Sequence, residues 1–103
     1  MSNTRPAISP FSLSVFSGNG VSLQAITPME FTPEYDDDFH GYTVAIDDLD
    51  LFCTGPSKGA LIEDIMVQIT YDWTEYVLCE DAELDGMAIQ LKNKLKSMFL
   101  QLP

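Results

Sequence analysis

Basic residues are scarce in this chain. Its 103 residues include five Lys and Arg against sixteen Asp and Glu, for a formal net charge of −11 at neutral pH. Between Glu30 and Asp50 stand eight acids and no Lys or Arg, and three of the five bases are Lys92, Lys94 and Lys96. A nucleic-acid site needs Lys or Arg to displace counterions, so no nucleic-acid partner is expected. A basic protein partner suits the charge better, because opposite fields speed encounter. Cysteine is also rare. Cys53 and Cys79 form neither a CxxC pair nor a disulfide framework, which reads as free thiols in a reducing, cytoplasmic setting. No run of 18 apolar residues occurs, so no membrane partner is expected. Residues 1–10, with Pro6 and Pro10, lack the layout of a secretory signal and read as a flexible tail. Residues 11–103 read as a single domain, long enough to bury roughly two-thirds of its unfolded surface.

Histidine is the next shortage. His40 is the only one, so a serine or cysteine nucleophile would have to find its base in an acidic turn. No glycine-rich phosphate loop is present, since Gly18-Asn19-Gly20 has no helix or Lys behind it. The groups Asp36, Asp37, Asp38 with His40, and Asp47, Asp48 with Asp50, offer hard oxygen ligands. They lack the alternating spacing of a calcium loop, so no metal or other cofactor is expected. No catalytic residue is assigned and the chain reads as a non-enzyme.

What is present is a clear alternation of patterns. Phe11, Leu13 and Val15 alternate with serines, as do Val21, Leu23 and Ala25 with Ser22 and Gln24. Asn19-Gly20 between them tolerates positive φ at both centres of a type I′ turn, predicting a β-hairpin. Thr27-Pro28 breaks the pattern and residues 29–35 resume it, with Pro33 marking an edge or a bulge. Tyr42, Val44 and Ile46 share one face of the next strand, Asp47-Asp48 turns, and residues 49–54 return. Ser57 caps a helical stripe of Ile62, Ile65, Ile69, Trp73 and Tyr76, with Glu63, Asp64, Asp72 and Glu75 directed to water. Asp85 caps a second helix with Ala88, Leu91, Leu95, Met98 and Leu102 inward. Together these predict an α+β fold: an antiparallel sheet of four or five strands, hairpin plus meander, covered by two C-terminal helices.

The segment 41–77 resembles the HicB-like antitoxin domain, a partial RNase-H-like fold. The residues that carry the resemblance are Gly41-Tyr42-Thr43-Val44, Asp48-Leu49, Gly55-Pro56-Ser57 and Ala60-Leu61. Asp50-Leu51-Phe52 stands where the family has Pro-Gly-Cys, and Lys58-Gly59 where it has Glu-Glu. The single helix after Asp85 leaves no room for the DNA-binding module common in that family, so operator binding is not implied. The resemblance implies a non-enzymatic domain that neutralises or regulates a basic protein.

Three functions compete. The first is an acidic protein-interaction module using Tyr35, Asp36, Asp37, Asp38, Phe39, Asp47, Asp48 and Asp50, with the two aromatics as anchors. The second is a structural homo-oligomer in which the N-terminal hairpin extends a neighbour's sheet. The third is a divalent-metal enzyme built on the aspartates.

Overall fold

A computed structural model describes residues 8–103. Residues 1–7 of the expected tail lie outside the described residues, and Ile8 packs partly buried against the core. The hairpin forms as its turn chemistry requires. Strand β1 (Phe11–Gly18) pairs antiparallel with β2 (Val21–Phe31), and Asn19 and Gly20 carry φ of 50° and 79°. The register shifts between Leu13, opposite Met29, and Val15, opposite Gln24, so residues 25–28 bulge from β2. Pro28 lies in that bulge, where a missing N–H does no harm. Beyond the shift the buried side chain of β1 is Phe16, and Val15 is exposed, which corrects the simple alternation expected there.

The strands form two three-stranded antiparallel sheets, where one sheet of four or five was expected. The first has the order β1-β2-β6, and the second β3-β4-β5. Strands β3 (Glu34–Asp36), β4 (Gly41–Ile46) and β5 (Leu51–Gly55) make a meander. Thr32-Pro33 separates it from β2, because Pro33 cannot continue a ladder. Tyr42, Val44 and Ile46 all face the core. A single 3₁₀ turn, Asp47–Leu49, joins β4 to β5, and it buries Leu49. The return strand therefore starts two residues later than the sequence pattern indicates.

Helix α1 (Lys58–Asp72) opens with the Ser57 hydroxyl accepting the Ala60 N–H at 3.2 Å. It buries Leu61, Ile65, Ile69 and Thr70 and packs on both β5 and β1, so it ties the two sheets together. Its last turn relaxes into a π-helical turn, Trp73–Val77, in which the Leu78 N–H donates to the Trp73 carbonyl. Helix α2 (Gly86–Met98) starts with Asp85 Oδ1 accepting the Ala88 N–H at 2.8 Å. It ends four residues before Leu102, because the chain there becomes β6 (Phe99–Gln101), paired with β2. Phe99 enters the core beside Phe16, their rings edge-on at 5.4 Å. Phe16, Leu23, Cys53, Leu61, Ile65, Ile69, Leu95 and Phe99 form the dry centre.

Candidate functional site

Strand β4 divides the eight site residues expected from sequence into two groups. Tyr35, Asp36, Asp37, Asp38 and Phe39 lie on β3 and the turn before β4, whereas Asp47, Asp48 and Asp50 follow its far end. Six strand residues span roughly 20 Å, so the two groups cannot meet on one small contact. In the first group Tyr35 is half-buried, its ring edge-on to Tyr42 at 5.2 Å. Tyr35 is thereby held as a sheet residue. Asp36 Oδ1 accepts the Asp38 N–H at 2.8 Å, which folds the acidic turn on itself. Phe39 is exposed, with its ring against Gly41, where a Cβ would collide with it.

Asp48 and Asp50 of the second group open onto a cleft of about 760 Å³, whereas Asp47 lines a separate hollow with Met29, Ala45 and Met98. One wall is the β4–β5 connection, with Asp48, Leu49, Asp50 and Leu51; the other is α2, with Asp85, Met87, Ala88, Gln90, Leu91 and Lys94. Asp72 and Tyr76 close it from the end of α1. Asp50 sits at φ 53°, a left-handed conformation that ends the 3₁₀ turn and that Asp tolerates better than most residues. The π-helical turn shifts Tyr76 off the regular helical spiral, and Tyr76 comes to face the cleft together with Asp72.

Four carboxylates and one ammonium face this space. The Lys94 Nζ stands 3.6 Å from Asp48 Oδ1, and both side chains are largely exposed. Asp72 is half-buried, and that burial raises its carboxyl to about 6. A carboxylate in that position gains from an arriving cation. Leu49, Leu51 and Leu91 supply apolar lining. A group with an aliphatic stem and a positive end would find both apolar and carboxylate contacts in such a cleft.

Asp72 and Asp85 were not singled out as site residues by sequence. Asp72 falls on a helical offset read as solvent-facing, and Asp85 reads as a cap alone. Asp64 corrects the same expectation: its Oδ2 accepts the Thr54 N–H and the Gln68 Nε2, both at 2.9 Å, so it braces β5.

The Cys53 thiol is fully buried, and burial with nearby Asp64 and Asp72 pushes it up to about 12, so it stays protonated. The cleft lining contains no His, Cys, Ser or Thr. Among the described residues no group of three His, Cys, Asp or Glu side chains is placed to hold a metal ion. No helix among the described residues is long and apolar enough to cross a membrane. Comparison with protein-family models, curated proteins and solved structures gives no match for this chain.

Proposed function

We propose that this chain is a non-enzymatic protein-interaction domain that receives basic side chains of a protein partner in the cleft between the β4–β5 connection and α2. The observation that carries this reading is the pairing of apolar lining with four carboxylates, Asp48, Asp50, Asp72 and Asp85, against the single Lys94. An Arg or Lys entering between Leu51 and Leu91 would lay its methylenes on those side chains and its charge near Asp72. Asp72, held up to about 6 by burial, would ionise fully on pairing. Asp36, Asp37 and Asp38, beyond the other end of β4, would contribute long-range attraction. The same setting leaves Cys53 and Cys79 as free thiols, which agrees with a cytoplasmic role. The resemblance of residues 41–77 to HicB-like antitoxins supports the same reading, with a basic toxin as the kind of partner.

A short peptide of Arg and Leu tests the cleft chemistry, with a Glu-for-Arg peptide as control. Calorimetric titration at low salt should show one site for the basic peptide and none for the acidic one. Proton release on binding near pH 6 is expected, since a cation lowers the raised Asp72 value. Equal binding of both peptides, or unaltered binding by an Asp72→Asn variant, would overturn the assignment.

A further inference from the structure

Helix α2 carries three lysines, and its spacing sends them to different places. Met87, Leu91 and Lys94 recur at intervals of four and three, so they share the side that lines the cleft. Lys92 and Lys96, two positions to either side of Lys94, fall on the far side of the helix. The Lys92 Nζ is engaged there, donating to the Cys79 carbonyl and to Asp81 Oδ1, both at 2.7 Å. That hydrogen bond and its charge, with Lys96 behind them, hold the Asp81 carboxyl below its usual value. Lys58, at the start of α1, stands over the Phe11 ring at 5.2 Å. Among the described residues, Lys94 is thus the one base that faces the cleft.

Lys94 does more than line one wall. Its Nζ reaches toward Asp48 Oδ1, 3.6 Å away on the 3₁₀ turn that belongs to the opposite wall. The pair therefore ties α2 to the β4–β5 connection across the cleft. Its strength is modest. The Lys94 side chain is 47% exposed and that of Asp48 67%, so packing locks neither of them. An exposed ion pair of this kind contributes little to stability, and another cation can take the place of its lysine.

We propose that Lys94 is an internal stand-in for the partner's cation, occupying Asp48 until a basic side chain of the partner displaces it. This rests on the reading of the cleft as a site for basic side chains. An arriving Arg or Lys meets a like charge on the α2 wall and finds the Asp48 carboxylate already engaged. To use Asp48 it must break that pair, and Lys94 then swings into water on its flexible stem. The tie sets a threshold for entry. A bare cation exchanges one weak pair for another and gains little. A basic segment that also lays apolar groups on Leu51 and Leu91 gains contacts that the pair with Asp48 does not supply. Lys94 thereby selects basic segments with apolar neighbours over isolated positive charge.

Calorimetric titration of the full chain with the peptide of Arg and Leu tests this against Lys94→Met, which keeps an apolar stem and removes the charge. The salt is set at about 0.1 M, where charges beyond roughly 10 Å are screened. Lys94→Met should bind the peptide about threefold more tightly than the parent, the scale of one exposed ion pair. Lys96→Met makes the same change of net charge on the far side of α2 and should stay within about 1.5-fold of the parent. A double-mutant cycle reads the contact itself. In an Asp48→Asn background the gain from Lys94→Met should fall by about half or more, because no carboxylate remains there to be released. Binding by the parent with no gain in Lys94→Met overturns the inference and leaves the cleft reading standing. An undiminished gain in the Asp48→Asn background also overturns it, since Lys94 would then act only as a diffuse charge. Binding by neither the parent nor Lys94→Met removes the cleft reading, and this inference with it.

Discussion

Asn19 at the tip of the β1–β2 hairpin donates its side-chain amide to the Thr70 hydroxyl, 3.0 Å away on α1 and 51 residues later in sequence. The same amide reaches the Val67 carbonyl at 3.2 Å, and the Thr70 hydroxyl in turn donates to the Met66 carbonyl at 2.7 Å. Thr70 is fully buried, so this contact gives its second hydrogen-bonding role a partner without water. One residue thus meets two requirements: it adopts the left-handed φ of the turn, and it fastens the hairpin to the helix that joins both sheets.

Those two requirements separate by substitution. Asn19→Gly keeps the backbone conformation and loses the hydrogen bonds, which should cost about 1 kcal/mol. Asn19→Ala loses both and should cost about 1 kcal/mol more, the penalty for a Cβ at positive φ. Urea denaturation of the two variants gives the difference directly. Equal stability of the Gly and Ala variants would show that the turn conformation contributes nothing.

Asp64 guards the edge of β5. Asp64→Ala leaves the Thr54 N–H without its acceptor and frees Gln68. The expected loss is about 1–3 kcal/mol, the cost of orphaning a partly buried donor. An opened edge should also raise the tendency to aggregate, visible as light scattering on storage. Unchanged midpoint and scattering would remove Asp64 from this role.

Asp72 gives stability a pH dependence of definite sign. Its folded value, about 6, lies above the 3.8 of an unperturbed carboxyl, so between these the folded chain binds more protons than the unfolded one. Its contribution therefore favours the folded state at low pH and is lost as pH rises through about 6. Asp72→Asn should be more stable than the parent at pH 7, by on the order of 1–2 kcal/mol after allowance for solvent screening. The gap should close below pH 4. A variant less stable than the parent at pH 7 would reverse the sign and the burial argument with it.

Cys53 should resist thiol reagents in the folded protein. Its burial and its value of about 12 leave almost no thiolate at pH 8. Half-buried Cys79 is the one expected to react first. Mass spectrometry after brief alkylation should find label on Cys79 alone, with Cys53 labelled only after denaturation. Equal labelling of both in the native chain would contradict the packing described around Cys53.

Much of the fold was legible wherever a local rule governs. Asn19-Gly20 announces its turn, Ser57 and Asp85 announce their caps, and Tyr42, Val44 and Ile46 announce a half-buried strand. The strand β6 was not legible, because Leu95, Met98 and Leu102 continue a helical spacing. Pairing of Phe99 with Ala25, a contact of long sequence separation, overrides that spacing. The split into two sheets follows from Pro33 and the bulge at residues 25–28, whose effect depends on which strand each neighbour finds. For the site, adjacency in sequence misled. Asp38 and Asp47 are nine residues apart in sequence yet stand beyond opposite ends of β4, while Asp48 and Asp85 share one cleft. No periodicity marks Asp72 as facing that cleft.

The most direct measurement is capture of a partner from native lysate by the immobilised full chain, beside an Asp50→Asn/Asp72→Asn variant, at low and then raised salt. The cleft account predicts a stoichiometric basic protein that elutes as salt rises and binds the variant at least about tenfold more weakly. A captured protein indifferent to salt and held equally by the variant, or no captured protein at any salt, would contradict it.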